Sequence, residues 1–482
     1  MKLLESPLFW IILVALCVME IVRFLRSRRS RSWGFKDVLK DPDYWDHASN
    51  AFEKAGQAEE AAKKWDDAAV DRAVTVYLFE TTSSRDAWIE SRQLEGLGSR
   101  THRQVLELLA DTTRYKQWVT PTGEDILPEA PFNRACDLLG DTPPAEAISL
   151  LAPFLDDKDD SIRQEAASTM GKTGSPAMVP HLKKALRDPE QYVRGYALSG
   201  LKSAKSSGRL ASETAEALFD DVLRLVEKEE NGDDSTELLF ALDPKRAKEV
   251  FLSPAIFRPD SRILHDALTT MANAGISVPR ERLLELIEIL RSCEIKYPKE
   301  YILCQALLLL GRHRHPEDLK LLEMLQGHPD ESVAIGASTG ILTWHGLQGF
   351  EDRLHEREEK SGYASLTRPQ QLYKAVFILD AEINNGGLDQ YFVNSSGDHW
   401  RDALEGLKTM GDLKRAEVLE EAVVKFGNGG PSTERRTRQR QLAAIARKDE
   451  NAFEALDARY YSKEPIEVIA NRYVLANPEA FL

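Results

Sequence analysis

Length, composition and charge limit the kinds of protein that this chain can form. Of its 482 residues, 42% are hydrophobic and 29% are charged, which is enough apolar material for packed cores and argues against wholesale disorder. The formal net charge of −15 argues against a general nucleic-acid binder, because contact with phosphates requires a basic surface. The four cysteines include no C-x-x-C pair, so neither a disulfide framework nor a thiolate zinc site is expected.

An apolar stretch near the amino terminus predicts a transmembrane helix. Residues 7–25 carry only two charged side chains, and their length is about enough for a helix to cross a ~30 Å hydrocarbon layer. Positive charge is concentrated at the end of the stretch and just beyond it, at Arg23, Arg26, Arg28, Arg29 and Arg31. By the positive-inside rule, we expect the N-terminus outside and the bulk of the chain in the cytoplasm, as in a bacterial inner-membrane protein.

Two alternatives concern this amino-terminal segment. A cleaved signal peptide would place its basic region before the apolar run, whereas in this chain the arginines follow it. The arginines could also contact anionic lipid, at about 1 kcal/mol for each charge near the surface, or could simply set the orientation of the helix.

Residues 41–350 predict an acidic and mainly helical body. Helix start and stop signals dominate this part of the sequence, with apolar residues at three- and four-residue spacing and few alternating runs of the β type. Residues 47–78 are rich in alanine and are compatible with a helical hairpin, which loosely resembles a tetratricopeptide unit. Prolines and a glycine between 121 and 131 indicate an irregular connection.

A repeat with a period of 31 residues follows. Seven positions of one unit recur in the next, because Leu151, Leu155, Asp157, Ile162, Arg163, Ala166 and Met170 align with Leu182, Leu186, Asp188, Val193, Arg194, Ala197 and Leu201. A fixed period of this kind is typical of stacked helical units. A third copy begins near Pro316, where the arginine of the pattern is replaced by Ala334.

These residues resemble the HEAT-repeat family, in its short form with a D-x-x-x-x-V-R-x-x-A-x-x-x-L second half, over residues 145–203 and 316–346. The resemblance implies an α-solenoid whose concave face binds another macromolecule. It also implies that Arg163 and Arg194 pair with Asp157 and Asp188 in a structural ladder between units. Because the solenoid is acidic, we expect protein partners, basic ones in particular, and no direct binding of nucleic acid.

Several short motifs in the same region carry no chemistry in this context. Gly171-Lys172-Thr173 looks like the end of a phosphate loop, but the first glycine of that loop is missing. Residues 336–340 fit the pattern of a nucleophile elbow, yet they continue the helical repeat instead of joining a strand to a helix. The histidine spacing does not support a metal site. The sequence therefore predicts no catalytic residue, no metal and no cofactor.

A compact helical domain is predicted over residues 362–482, after a charged bridge at 351–369. Its run N-G-G-L-D-Q-Y-F-V-N-S-S-G, residues 385–397, begins with two glycines that stop a helix. This run resembles the DNA-mimic protein C-terminal-domain family, whose signature is N-G-G-F-x-Q-Y-F-x-N-S-x-G, with Leu388 in place of the phenylalanine. The resemblance implies an all-helical domain and, for the founding type, an acidic surface that imitates DNA phosphates and occupies a DNA-binding protein.

The charge of this domain departs from that founding type. It sums to −2 and includes an arginine run at 435–440, which is typical of a solvated helix face. The candidate binding residues lie in the signature and are Asn385, Gly386, Gly387, Gln390, Tyr391, Phe392, Asn394 and Gly397. They could form a recognition surface, or they could satisfy buried backbone groups at a tight bend.

We therefore expect an all-α protein with four parts. These are a transmembrane anchor with a basic segment at 1–40, a helical region at 41–140, a HEAT-like α-solenoid at 141–350 and a compact helical domain at 362–482. The favoured function is a membrane-anchored protein-interaction scaffold or adaptor. The first alternative is a DNA-mimic regulator that sequesters a DNA-binding protein, and an enzyme is the less favoured third.

Overall fold

The computed structural model describes residues 44–81, 84–121, 130–461 and 464–482. Every regular element in these ranges is a helix, and none of them is a strand, which confirms the helical character predicted from the sequence. The chain divides into two compact units, which we call the N-terminal unit, Ser49–Ile276, and the C-terminal unit, whose described part is mainly Ser277–Leu482. The four domain boundaries expected from the sequence remain predictions.

The α-helices follow one another closely along both units. Up to Ile276 they are Tyr44–Ala62, Asp67–Phe79, Ser84–Glu95, His102–Ala110, Tyr115–Trp118, Pro131–Leu139, Ala147–Leu151, Asp160–Thr173, Val179–Ala185, Gln191–Ser206, Ser212–Glu227, Gly232–Leu242, Pro244–Phe251 and Leu264–Asn273. In the C-terminal unit they are Arg280–Arg291, Lys299–Gly311, Pro316–Leu325, Glu331–Trp344, Phe350–Ser361, Arg368–Val393, Trp400–Met410, Leu413–Val424, Arg435–Lys448, Glu454–Tyr460, Ile466–Ala476 and Pro478–Phe481.

The predicted membrane topology is not supported. The stretch at 7–25 lies outside the described residues, as do the arginines after it, and no helix in the described part of the chain combines the length and the apolarity needed to cross a bilayer. The two described helices of sufficient length, Tyr44–Ala62 and Arg368–Val393, carry five charged residues each, and charge is costly inside a membrane. This finding contradicts the prediction of a single-pass membrane protein, and binding to lipid through residues 7–25 is not supported.

Helix boundaries follow from local capping chemistry. The carboxylates of Asp159 and Asp330 accept hydrogen bonds from backbone N–H groups in the first turn of the helices that follow them. Gly174 ends the helix Asp160–Thr173 in the left-handed conformation, with φ of 67°. Such caps satisfy the backbone groups that a helix terminus leaves without intrahelical partners.

In the N-terminal unit, two helices of the repeat pack backbone against backbone. We call residues 160–206 the first module; its helices Asp160–Thr173 and Gln191–Ser206 meet at Gly171 and Gly200. A Cβ atom on Gly171 would lie 2.9 Å from the carbonyl carbon of Gly200, and a Cβ on Gly200 would overlap the carbonyl oxygen of Ser168. Only glycine permits this approach, which explains the glycine of the phosphate-loop-like motif without any phosphate.

The same contact recurs 140 residues later, in the C-terminal unit. We call residues 299–346 the second module; its helices Lys299–Gly311 and Glu331–Trp344 meet at Gly311 and Gly340, the counterparts of the first glycine pair. A Cβ on Gly311 would overlap the carbonyl oxygen of Gly340. The glycines of the elbow-like motif at 336–340 are therefore packing residues as well.

The segment predicted to be a charged bridge is instead part of a core. It contains the helix Phe350–Ser361, whose Phe350 and Leu354 are buried together with Leu342 of the second module and with Val474 near the carboxy terminus. Most charged residues of this segment are exposed, but Glu358 is half-buried in an ion pair with Lys374, and Glu351 accepts a hydrogen bond of 2.6 Å from the Tyr373 hydroxyl. Within the C-terminal unit, the second module and the domain after it therefore share one hydrophobic cluster.

Replacing a packing glycine tests this arrangement. We expect Gly200→Ala or Gly311→Ala to cost about 1–3 kcal/mol of folding free energy, since the added methyl must displace backbone atoms. Calorimetric thermal unfolding of the purified protein would measure the loss. Gly56→Ala is the matched control, because a Cβ there meets nothing within 4 Å and alanine gains up to about 1 kcal/mol in a helix. Equal effects at all three positions would contradict the packing argument.

Candidate recognition site in the C-terminal unit

The signature run forms a kink inside one long helix. Arg368–Val393 is interrupted at Gly386 and Gly387, and Gly387 has φ of 78° and ψ of −175°, a conformation that favours glycine. Beyond the kink, the backbone N–H of Leu388 donates a hydrogen bond of 2.8 Å to Asp457 Oδ1. A Cβ on Gly387 would lie 2.6 Å from the same carboxylate, so the second glycine makes room for this cap.

A buried carboxylate holds the two sides of the kink together. Glu382 is 5% exposed and accepts hydrogen bonds from Gln390 Nε2 at 2.8 Å, Asn394 Nδ2 at 2.9 Å and Ser396 Oγ at 2.7 Å. All three donors are neutral, so their dipoles replace the water that a carboxylate loses on burial. The polar positions of the signature therefore form the binding pocket of one internal side chain.

A buried guanidinium closes the other end of the run. Arg438 is 0% exposed and donates hydrogen bonds to the carbonyl oxygens of Phe392 at 2.7 Å, Asn394 at 2.7 Å and Ser432 at 2.6 Å. It also forms an ion pair of 2.6 Å with Asp398. The first two carbonyls lie at a helix C-terminus, where cationic side chains are stabilising. The interpretation of the arginine run as a solvated face was wrong at this position.

The remaining predicted residues divide between core and surface. Tyr391 and Phe392 belong to the hydrophobic core of the domain, at 1% and 0% exposure. A Cβ on Gly397 would lie 2.7 Å from Arg438 Nε, and a Cβ on Gly386 would overlap Gln390 Oε1. Asn385 is exposed beside the kink. The run is brought together as a rigid corner whose polar groups mostly face inward.

A second group of titratable side chains lies beside this corner. The ring of Tyr363 stacks on His399 with centroids 3.7 Å apart, and its hydroxyl contacts Asp402 Oδ2 at 2.9 Å. Arg368 bonds the other oxygen of Asp402 at 2.7 Å. Burial lowers the pKa of His399, and burial followed by the Asp402 carboxylate raises the pKa of Tyr363. No sequence motif contains these residues, because they come from two separate stretches, 363–368 and 399–402.

The predicted ladder residues contact each other, but the Asp157 side chain does not pair with either arginine. Arg163 Nε bonds the carboxylate of Asp188 at 2.9 Å and Arg163 Nη1 the backbone oxygen of Asp157 at 2.9 Å. Arg194 Nη1 bonds the backbone oxygen of Asp188 at 2.8 Å and its Nε reaches Asn231 Oδ1 at 3.2 Å. The side chain of Asp157 instead accepts from the Tyr115 hydroxyl at 2.7 Å, a partner that the repeat pattern does not contain.

In the part of the chain that the structure describes, no group of three or more His, Cys, Asp or Glu residues could hold a metal ion. The polar groups of the corner have the chemistry of structural hydrogen bonds, and the sequence patterns indicate no cofactor-binding set among them.

Comparison with protein families identifies two segments. Residues 364–477 match the model of DMP19-like protein, and residues 133–202 match the model of HEAT repeats. The chain combines HEAT repeats with a DMP19-like domain. This confirms both resemblances inferred from the sequence, and the corner formed by Glu382 and Arg438 lies inside the DMP19-like domain.

Comparison with curated proteins and with solved structures does not identify a further family. A search of curated proteins finds no match to the chain. Among solved structures, the crystal structure of an engineered protein from a structural genomics consortium is 16% identical and covers 86% of this chain and 98% of its own length. Its TM-score of 0.26 does not establish a shared fold.

Replacing the buried guanidinium tests the closure of the corner. We expect Arg438→Lys to lower the free energy of unfolding by about 2–4 kcal/mol, since one ammonium cannot reach three carbonyls and a carboxylate. Arg440→Lys, at an exposed position two residues later, should stay within about 0.5 kcal/mol of the parent. Urea unfolding followed by circular dichroism would compare them, and similar losses would refute a special role for Arg438.

Replacing the buried carboxylate of Glu382 tests its role in holding the two sides of the kink together. In Glu382→Gln the new amide turns two donor hydrogens toward side chains that themselves donate, so we expect a loss of about 1–3 kcal/mol. Glu417→Gln, at an exposed position, is the control and should change stability by less than about 0.5 kcal/mol. A Glu382→Gln protein with parental stability in the same urea titration would show that the charge of this carboxylate is not needed.

Proposed function

We propose that this protein is an interaction scaffold in which the HEAT repeats and the DMP19-like domain each present a rigid surface to another protein. The matched families support this, since both are typical of non-enzymatic proteins. The observation that carries the proposal is that the polar residues of the signature form hydrogen bonds inside the domain. Glu382 and Arg438 make their hydrogen bonds within the corner itself. These side chains therefore stabilise the folded corner and do not act on a substrate.

The charge of the chain indicates the kind of partner. With a formal net charge of −15, the protein attracts basic surfaces and repels nucleic acid at a distance. Complementary charge raises association rates and selects partners more than it raises affinity. We therefore expect a basic protein partner whose binding weakens as salt is added.

The second candidate function is mimicry of DNA by the DMP19-like domain. The family match favours it, because the resemblance implies an acidic surface that occupies a DNA-binding protein. Several exposed carboxylates of the domain are already ion-paired: Glu421 bonds Arg459 at 2.7 Å, and Glu405 and Glu420 bond Arg368 and Lys408. Carboxylates neutralised in this way imitate phosphates poorly, which places this candidate second.

Capture of partners by the full chain tests the scaffold proposal. We expect a cross-linked and salt-sensitive protein partner whose cross-links, mapped by mass spectrometry, fall within residues 133–206 or 364–477. A charge-matched unrelated protein is the control for non-specific attraction. A failure to retain any partner above that control would contradict the proposal.

The same captured partner distinguishes the two candidates. If the DMP19-like domain mimics DNA, the partner binds duplex DNA and the full chain displaces it. If the protein is a scaffold of the kind proposed, duplex DNA does not compete. A gel-shift competition between labelled duplex and the full chain gives the answer.

A further inference from the structure

Two tyrosines stand exposed on one helix of the first module. Tyr192 and Tyr196 lie one turn apart on Gln191–Ser206 and are 68% and 39% exposed. Residues four apart lie on the same helix face, so the two rings form one patch. Burial of large aromatic side chains is favourable, so a pair of exposed rings marks a surface where contact with a partner would lower the free energy.

The packing of the helix does not require these rings. In the second module, which makes the same glycine contact, the counterparts of Tyr192 and Tyr196 140 residues later are Ser332 and Gly336. The apolar positions that build the core are retained instead, as Val193 with Val333 and Ala197 with Ala337. The close backbone of Cys304 requires the glycine at position 336, so for Tyr196 the comparison is not informative. The assignment of both tyrosines to the surface rests on their exposure.

Negative charge surrounds the patch. Glu165 lies on the helix Asp160–Thr173, which packs against Gln191–Ser206, and Asp137 is exposed on Pro131–Leu139, which packs against the helix of Glu165. Both carboxylates add to the effect of burial in raising the pKa of Tyr196. Glu190, directly before the helix, is exposed. The aromatic faces consequently lie in a negative potential that favours a cation in contact with them.

Two arginines of the module are committed to its own framework. Arg163 and Arg194 have side-chain exposures of 12% and 11%, and their guanidiniums bond Asp188, Asn231 and backbone oxygens. They do not project into the patch as free cations.

We propose that Tyr192 and Tyr196, with Glu165 and Asp137, form a docking surface for an arginine-rich segment of a protein partner. A guanidinium stacks on a tyrosine face while its N–H groups reach a neighbouring carboxylate, a combination that lysine reproduces less well. The N-terminal unit contains such a stack internally, where Arg246 lies 3.7 Å from the ring centre of Phe219. This inference rests on the proposed scaffold function and specifies the chemistry of its partner.

A labelled peptide of alternating arginine and glycine tests the surface. We expect the full chain to bind it, measured by fluorescence anisotropy, and the double variant Tyr192→Ser with Tyr196→Ser to bind about tenfold more weakly. A peptide with lysine in place of arginine should bind less tightly than the arginine peptide. Tyr297→Ser, at a tyrosine that is 71% exposed in the C-terminal unit, is the matched control and should leave binding unchanged.

A second variant separates loss of the surface from loss of the fold. Glu165→Gln keeps both rings and removes one charge, so it should weaken the arginine peptide several-fold and reduce the salt dependence of binding. Thermal unfolding of each variant shows whether it remains folded.

Two results would overturn the inference: parental affinity in both variants, or no binding of the arginine peptide by the parent. If a captured partner stays bound to the double variant, the scaffold function stands and this surface is not its docking site. If no partner is captured while the peptide binds as expected, the surface stands and the scaffold function fails.

Discussion

The fold depends on helices that approach each other until their backbones touch. At Gly171 with Gly200, and again at Gly311 with Gly340, no side chain fits between the two helices. The contact fixes the spacing of the helices, and their leucines and alanines fill the space on either side of it. It also accounts for glycines that imitate catalytic motifs, since Gly171, Gly336 and Gly340 are where a neighbouring backbone leaves no room for a Cβ atom.

The DMP19-like domain meets a different constraint, which is the burial of two opposite charges within one corner. Glu382 is surrounded by amide and hydroxyl donors, and Arg438 by carbonyls at a helix end. Each charge is satisfied mainly by dipoles and not by the other charge. Because a buried charge that loses its partners is costly, the corner can adopt few alternative geometries. Gly387 and Gly397 supply the space that the neighbouring charged side chains occupy.

What could be predicted from the sequence depends on how far apart the interacting residues lie. The helices and the 31-residue period follow from apolar spacing within each segment, so they could be predicted from local pattern. Arg438 could not, because its partner Phe392 is 46 residues away and an arginine run usually faces solvent. Asp157 was assigned to the ladder by the repeat, but its side chain binds Tyr115, 42 residues earlier and outside the repeat. The sequence predicts that a helix stops at Gly386 and Gly387, but it does not predict that the carboxylate of Asp457 caps the kink.

The two modules share their packing and differ in their surfaces. Arg163 and Arg194 of the first module correspond to Leu303 and Ala334 of the second, which are 0% and 3% exposed. The helix Ile466–Ala476 packs against Glu331–Trp344 of the second module, which has apolar residues at both of these positions. The first module has its two arginines at these positions, and it has the exposed Tyr192 and Tyr196 where the second module has Ser332 and Gly336. The arginines are explained by the hydrogen bonds and the ion pair that they make within the stack. Tyr192 and Tyr196 are exposed instead, and they are the side chains for which we propose a contact beyond the module.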